Sequence, residues 1–233
     1  GDGYSEWGGD DYGYAGTGLY LVADEIQVST LHVEGYNNAG LLTAPFDSGT
    51  ATIDGLTIDN TGRHGIYIIA SDAVVTDSTI TNMRQVEDQG DEECYMVDRY
   101  AAVVVSEGTL DWQGGEVSDN EGYGFSNVRG NISVSDATIS GNSCAGVMNF
   151  GGSDVLTGNT FSSTTPGQLS AAIVEYGNAG SLISANHFIE NQNTEDTLVV
   201  YDYSKYYDEE TCETYPQYCY VDTYTYVDKP ESI

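Results

Sequence analysis

Apolar residues recur along this chain in short blocks separated by Gly, Asn and Asp, and the blocks repeat. Aligning 56-LTIDN-60, 78-STITN-82, 115-GEVSDN-120, 137-ATISGN-142, 159-NTFSS-163 and 186-NHFIEN-191 brings Ile58, Ile80, Val117, Ile139, Phe161 and Phe188 into one column. Three of the five intervals are 22 residues; the other two, 37 and 27, are the same repeat carrying an insertion. An earlier copy, 31-LHVEG-35, is anchored on Val33. Five residues before each anchor stands a second apolar residue: Val28, Ile53, Val75, Trp112, Val134, Leu156 and Ile183. In four copies a Gly and an apolar residue follow at a fixed distance, as Gly40-Leu41, Gly65-Ile66, Gly124-Phe125 and Gly146-Val147. Each repeat is therefore expected to hold about three strands, too short and too often broken for helices.

A unit of this size cannot bury its own apolar face. Stacked at about 4.8 Å per level, seven copies make parallel sheets around a continuous core, a rod roughly 34 Å long. The fold class expected is all-β, a parallel β-helix of about seven coils over residues 18–203. A Gly/Asp/Tyr-rich lead (1–17) and a Tyr-rich segment (204–233) flank it. The pattern apolar-x-x-x-x-apolar, Asn, then Gly-apolar resembles the right-handed parallel β-helix repeat of the pectate-lyase-like superfamily. That fold hosts many activities, so the resemblance fixes architecture before function.

Within this frame, Asn60, Asn82, Asn120, Asn142 and Asn191 fall near one corner of successive coils. There, stacked amides can bond one another and the backbone, a structural role. Arg63 and His64 form a basic pair in a chain with six Lys plus Arg and three His. Their slot precedes the strand opening at Gly65-Ile66, and the same slot elsewhere holds Asn38-Ala39, Gly122-Tyr123 and Cys144-Ala145. The pair is therefore expected in a turn, pointing outward, rather than in a site. The row His32, Thr57, Thr79, Glu116, Thr138, Thr160, His187, beside the anchors, is similar to the Thr faces of ice-binding proteins; Thr is also a good strand former.

Chemistry is expected, if anywhere, beside the largest insertion, 83-MRQVEDQGDEECYMVDR-99, which carries Arg84 and Arg99. Resemblance to polysaccharide lyases implies Ca²⁺ held by acids and an Arg or Lys that removes a proton from an anionic sugar. Resemblance to the polygalacturonase branch implies several aspartates on one face with a Gly-His-Gly turn; the chain offers Arg63-His64-Gly65 without the paired aspartates. Glycoside hydrolysis needs two carboxyls a few ångströms apart, and Glu34, Asp59 and Glu116 stand on scattered coils. Neither enzyme pattern is complete. Asp2, Asp10 and Asp11 are candidate Ca²⁺ ligands in the lead, without the spacing of an EF-hand loop. No cofactor is required by the sequence.

Thirty-seven acids against six bases give a net charge of −31, which disfavours nucleic acid and anionic membrane faces as partners. No apolar run approaches the length of a membrane span. The chain opens on Gly1 without a charged-then-apolar leader, which reads as a mature or excised product. Four cysteines lack metal-site spacing and point to two disulfides in an oxidising compartment. The short loop 212-CETYPQYC-219 favours Cys212 with Cys219, leaving Cys94 with Cys144. Nine of 19 tyrosines lie between 201 and 233. The alternating run 220-YVDTYTYV-227, with Tyr220, Tyr224 and Tyr226, reads as a strand that either caps its own last coil or pairs with a neighbour. The functional expectation is an extracellular or cell-surface structural or adhesive protein, self-associating end to end as a filament subunit. The alternatives are a carbohydrate-active enzyme on one sheet face, with a polysaccharide or cell-surface ligand, and an ice binder.

Overall fold

A computed structural model of the chain describes residues 16–43, 49–84, 101–162, 171–176, 180–189, 197–201 and 224–228. These residues wind into a parallel β-solenoid with three sheets. Strands are numbered in chain order. Sheet A contains β1 (Thr17–Leu21), β4 (Ala39–Thr43), β7 (His64–Ile69), β10 (Ala101–Ser106), β13 (Tyr123–Val128), β16 (Ala145–Phe150), β19 (Ala171–Tyr176), β22 (Thr197–Tyr201) and β23 (Tyr224–Asp228). Sheet B contains β2 (Glu25–Ser29), β5 (Thr50–Asp54), β8 (Asp72–Thr76), β11 (Thr109–Gln113), β14 (Asn131–Ser135), β17 (Ser153–Thr157) and β20 (Leu182–Ser184). Sheet C contains β3 (His32–Glu34), β6 (Thr57–Asp59), β9 (Thr79–Thr81), β12 (Glu116–Ser118), β15 (Thr138–Ser140), β18 (Thr160–Ser162) and β21 (His187–Ile189). Seven levels of sheets B and C enclose about six turns. All pairings are parallel except β22 with β23.

The columns read from the sequence are the stacked columns of the fold. Ile58 lies over Val33 and under Ile80, and Phe161 lies between Ile139 and Phe188, one level apart each time. Ile53, Val75, Trp112, Val134 and Leu156 form the facing column in sheet B, and all are fully buried. Trp112 meets Phe125 edge to face at 5.3 Å. The row of glycines in sheet A is explained by the interior corner. A Cβ on Gly40 would sit 2.7 Å from Ile58 Cγ2, so the row takes Gly or, at Ala102 and Ala172, the smallest side chain.

Each turn bends at three corners, and most of the described corners use a left-handed residue. Between sheets B and C stand Thr30, Gly55, Asp77, Gly114, Asp136, Gly158 and Ala185, with φ from 46° to 71°. Between C and A stand Gly35, Asn60, Asn82, Asp119 and Gly141. Ala70, Glu107, Arg129 and Gly151 bend A into B. Gly, Asn and Asp occupy most of these positions because they tolerate this backbone at least cost.

The Asn corner expected from the sequence divides into two roles. Asn60 and Asn82 are the left-handed corner residues themselves, partly or fully exposed. Asn120 and Asn142 come one residue later and point inward, buried to within 2%. The Nδ2 of Asn120 donates to Asn142 Oδ1 at 2.9 Å, and Asn142 Nδ2 donates to Val117 O at 3.1 Å. The expected single row fails because Asn120 and Asn142 stand one residue further from their anchors than Asn60 and Asn82. Asn191 lies outside the described residues. A second ladder, at the B–C corner, was not read from the sequence: Asn159 Nδ2 donates to Asn186 Oδ1 at 3.0 Å and to Val134 O at 2.8 Å.

Sheet A differs from the other two in being buried on both faces. Leu42, Tyr67, Val104, Met148 and Val174 face away from the interior, yet all are at most 7% exposed. Sheets B and C alternate buried and open positions, the pattern of a sheet with one wet face.

Candidate functional site

An open pocket of about 260 Å³ lies at the corner between sheets C and A. It is lined by Gly35, Tyr36, Asn37, Asn60, Thr61, Gly62 and Arg84. Backbone bonds build its floor. Gly62 N–H donates to Tyr36 O at 2.6 Å, Arg84 N–H to Thr61 O at 2.9 Å, and Arg63 N–H to Arg84 O at 3.2 Å. The exposed Arg84 side chain belongs to the lining. An aromatic ring, two amides and one guanidinium can bind a polar ligand. Among the described residues no carboxylate lines the pocket.

Of the sequence candidates, the structure brings Arg84 into the lining of this pocket and ties Arg63 to it through the bond from the Arg63 N–H to Arg84 O. His64 departs from expectation. It is not an outward turn residue but the first residue of β7, 3% exposed, with Nδ1 3.3 Å from Ala101 O. Its ring lies 5.0 Å from that of Tyr67. The cause is register: His64 pairs with Ala39 and Ala101 in the outward row of sheet A, which is covered, so the imidazole packs as part of that layer. Arg99 lies outside the described residues, as do Asp2, Asp10 and Asp11.

Among the described residues, no group of three or more His, Cys, Asp or Glu is placed to hold a metal ion, and no helix is long and apolar enough to cross a membrane. Of the carboxylates named from the sequence, Glu34 and Asp59 are register partners on adjacent levels of sheet C rather than scattered, while Glu116 stands two levels beyond Asp59 on the other side of the anchor column. Glu34 pairs with His32 at 3.5 Å, and Glu116 accepts from Ser118 at 2.6 Å. Asp59 accepts from Asn82 at 2.8 Å and Thr81 at 3.0 Å. The bond from Asn82, aided by that from Thr81 and opposed by desolvation, holds the Asp59 carboxyl below the ordinary range.

The row from His32 to His187 is in register across all seven levels of sheet C. Thr57–Thr79 and Thr138–Thr160 are adjacent pairs, and Glu116 separates them. Cys144 is fully buried and is not a free thiol; Cys94, Cys212 and Cys219 lie outside the described residues. Tyr224 and Tyr226 belong to β23, which pairs antiparallel with β22 of its own chain. Tyr220 lies outside the described residues.

The two ends of the stack are unlike. At the first level Ile26 and Val33 are buried, 8% and 6% exposed. At the last level Ile183 and Phe188 occupy the same core columns but are 39% and 44% exposed, with Leu182 and Ile189 beside them at 56% and 40%. Sheet A continues for two strands beyond β19, whereas sheets B and C stop at β20 and β21 among the described residues.

Sequence reading also missed two buried acids, Asp154 and Glu175, at the A–B corner. The signal was available as a column change: Leu110, Ile132, Asp154 in sheet B, and Val105, Asn127, Asn149, Glu175 in sheet A. A polar residue in an otherwise apolar column marks an internal polar site. No family model, no curated protein and no solved structure matches the chain.

Proposed function

We propose that this chain is an extracellular or cell-surface structural and adhesive solenoid that associates with further copies of itself through its C-terminal end. Its winding is right-handed, as parallel crossovers are in nearly all cases. The observation that carries this reading is the exposure of Ile183 and Phe188, apolar residues in core columns at the last level that sheets B and C reach among the described residues. Among the described residues β20 and β21 are the end strands of sheets B and C, and a sheet edge is a template for strand pairing. Growth into a filament needs the first turn of the next copy as acceptor, and there Ile26 and Val33 are already buried. Two C-terminal ends meeting need no such acceptor and close as a two-fold dimer. The absence of a free thiol at Cys144 and the net charge of −31 support an oxidising, extracellular setting.

The test is light scattering with negative-stain microscopy, in Ca²⁺ and in chelator, on the native chain and on Ile183→Asp with Phe188→Asp. Dimers or filaments that the double variant abolishes support the reading; a native monomer in every condition overturns it. A second reading, a carbohydrate-binding or carbohydrate-active protein of the pectate-lyase-like superfamily, is favoured by the pocket at Arg84 beside the 83–99 insertion. Its check is a polysaccharide panel on the native chain and Arg84→Ala. Ca²⁺-dependent release of unsaturated sugars would put this reading first.

A further inference from the structure

The last turn of the solenoid is tied to its body by a buried acid pair. Asp154 is fully buried and Glu175 is 5% exposed. Asp154 Oδ1 accepts from Asn127 Nδ2 at 2.7 Å, and Glu175 Oε2 accepts from Asn149 Nδ2 and from Ser181 Oγ, each at 2.9 Å. Ser181 opens the last turn and also accepts from the Asp154 N–H at 3.2 Å, while Gly180 O accepts from Ser153 Oγ at 3.1 Å. Residues 180 and 181 are thus attached to the body through these carboxyls and their amide partners. Asp154 Oδ2 meets no donor in this corner, and the Glu175 carboxyl lies within hydrogen-bonding reach of the Asp154 carboxyl. Two adjacent carboxylates cannot both stay charged in a dry corner, whereas one proton between them supplies the missing donor.

We propose that Asp154 and Glu175 share one proton and form a pH-sensitive fastener for the last turn, β20 and β21, which loosens as that proton is lost to solvent. On loss of the proton, the pair passes from one negative charge to two. Among the described residues, the strands packed on the corner, β13, β14, β16, β20 and β22, bring no carboxylate, His, Lys or Arg, and Arg129 at the same corner is engaged at the surface by Glu107 at 2.7 Å. Burial first, then the charge of Glu175, pushes the Asp154 carboxyl up to about 8. The sign follows from this elevation. The folded corner holds its proton while the opened corner, with an ordinary carboxyl, releases it. The fastener is therefore tightest in acid, weakens as pH rises from the ordinary carboxyl range, and is fully loosened above about 8. Insofar as the last turn is the self-association face, an idea that rests on the function proposed above, alkalinity would disturb that face.

The test is hydrogen exchange read by mass spectrometry on dilute, monomeric chain between pH 5 and 9, corrected for intrinsic exchange. Protection in 180–189 is expected to fall about ten-fold per pH unit up to about pH 8 and then level off. Protection in 109–118 is expected to stay flat. Asp154→Asn, which keeps shape and supplies an N–H, is expected to hold protection in 180–189 constant with pH. Glu175→Gln, which leaves Asp154 without a charged neighbour, is expected to shorten the sloping range. Native protection in 180–189 that does not depend on pH, or a slope unchanged in both variants, overturns the fastener. Light scattering over the same range separates the two ideas: a slope in exchange without any change in mass keeps the fastener and overturns the self-association clause.

Discussion

Asn120 and Asn142 stand one turn apart inside the solenoid, the amide of the first donating to the carbonyl of the second at 2.9 Å. Asn120 Oδ1 also accepts the Met83 N–H at 3.0 Å, so the pair satisfies backbone that the corner would otherwise leave buried and unbonded. Replacing Asn142 by Ala removes a donor and an acceptor at once. The expected loss is about 1–3 kcal/mol in chemical denaturation. Asn60→Gly, at a left-handed and half-buried corner, is expected to change stability by less than about 1 kcal/mol.

Phe161 and Phe188 share one column with rings stacked at 5.2 Å, yet one is buried and the other 44% exposed. Phe161→Ala is expected to cost about 3–5 kcal/mol, because the cavity it leaves is enclosed. Phe188→Ala is expected to cost clearly less in dilute monomer. The difference should narrow at concentrations where the C-terminal end is covered by a second copy, and melting at several concentrations checks this.

Gly65 takes the place where its row crosses the interior corner, and a Cβ there would strike Ile80 Cγ2 and lie 2.8 Å from Ala102 O. Ala is carried in the same row at 102 and 172, but at 65 the added Cβ meets the backbone oxygen of Ala102, so Gly65→Ala is expected to lower stability measurably while still folding. Gly65→Val, adding two more carbons against a close-packed column, is expected to lower the melting temperature sharply or prevent folding.

Asp59 provides the opposite sign to Asp154. Its carboxyl is held below the ordinary range, first by the Asn82 amide, so its stabilisation is present above that range and fades as acid protonates it. Side-chain NMR titration is expected to place Asp59 below the ordinary aspartate range, and Asn82→Ala to move it back toward that range.

The pairing of Cys144 with Cys94 remains part of the extracellular proposal. Peptide mapping under non-reducing conditions is expected to recover 94 linked to 144 and 212 linked to 219. Full labelling of all four cysteines by a thiol reagent in unfolded, unreduced chain would overturn both.

The architecture was legible because a solenoid writes itself into a sequence one turn at a time. Each column demands the same kind of residue every turn, and the recurrence of Ile58, Ile80, Val117, Ile139 and Phe161 is that demand repeated. The glycine row and the Asn, Asp and Gly corners were readable for the same local reason, steric tolerance. What the sequence alone did not decide were matters of depth and of neighbours across turns. His64 looked like a turn residue because its sequence slot begins a strand, and only the covered outer face of sheet A made it a buried one. Asn60 and Asn120 looked equivalent because a shift of one residue is small in sequence, but it decides whether a side chain faces solvent or core. Asp154 and Glu175 lie twenty-one positions apart and acquire their chemistry only because the winding places them together in a buried corner. Repetition fixed the path of the chain, and tertiary packing decided which of its polar groups were left dry.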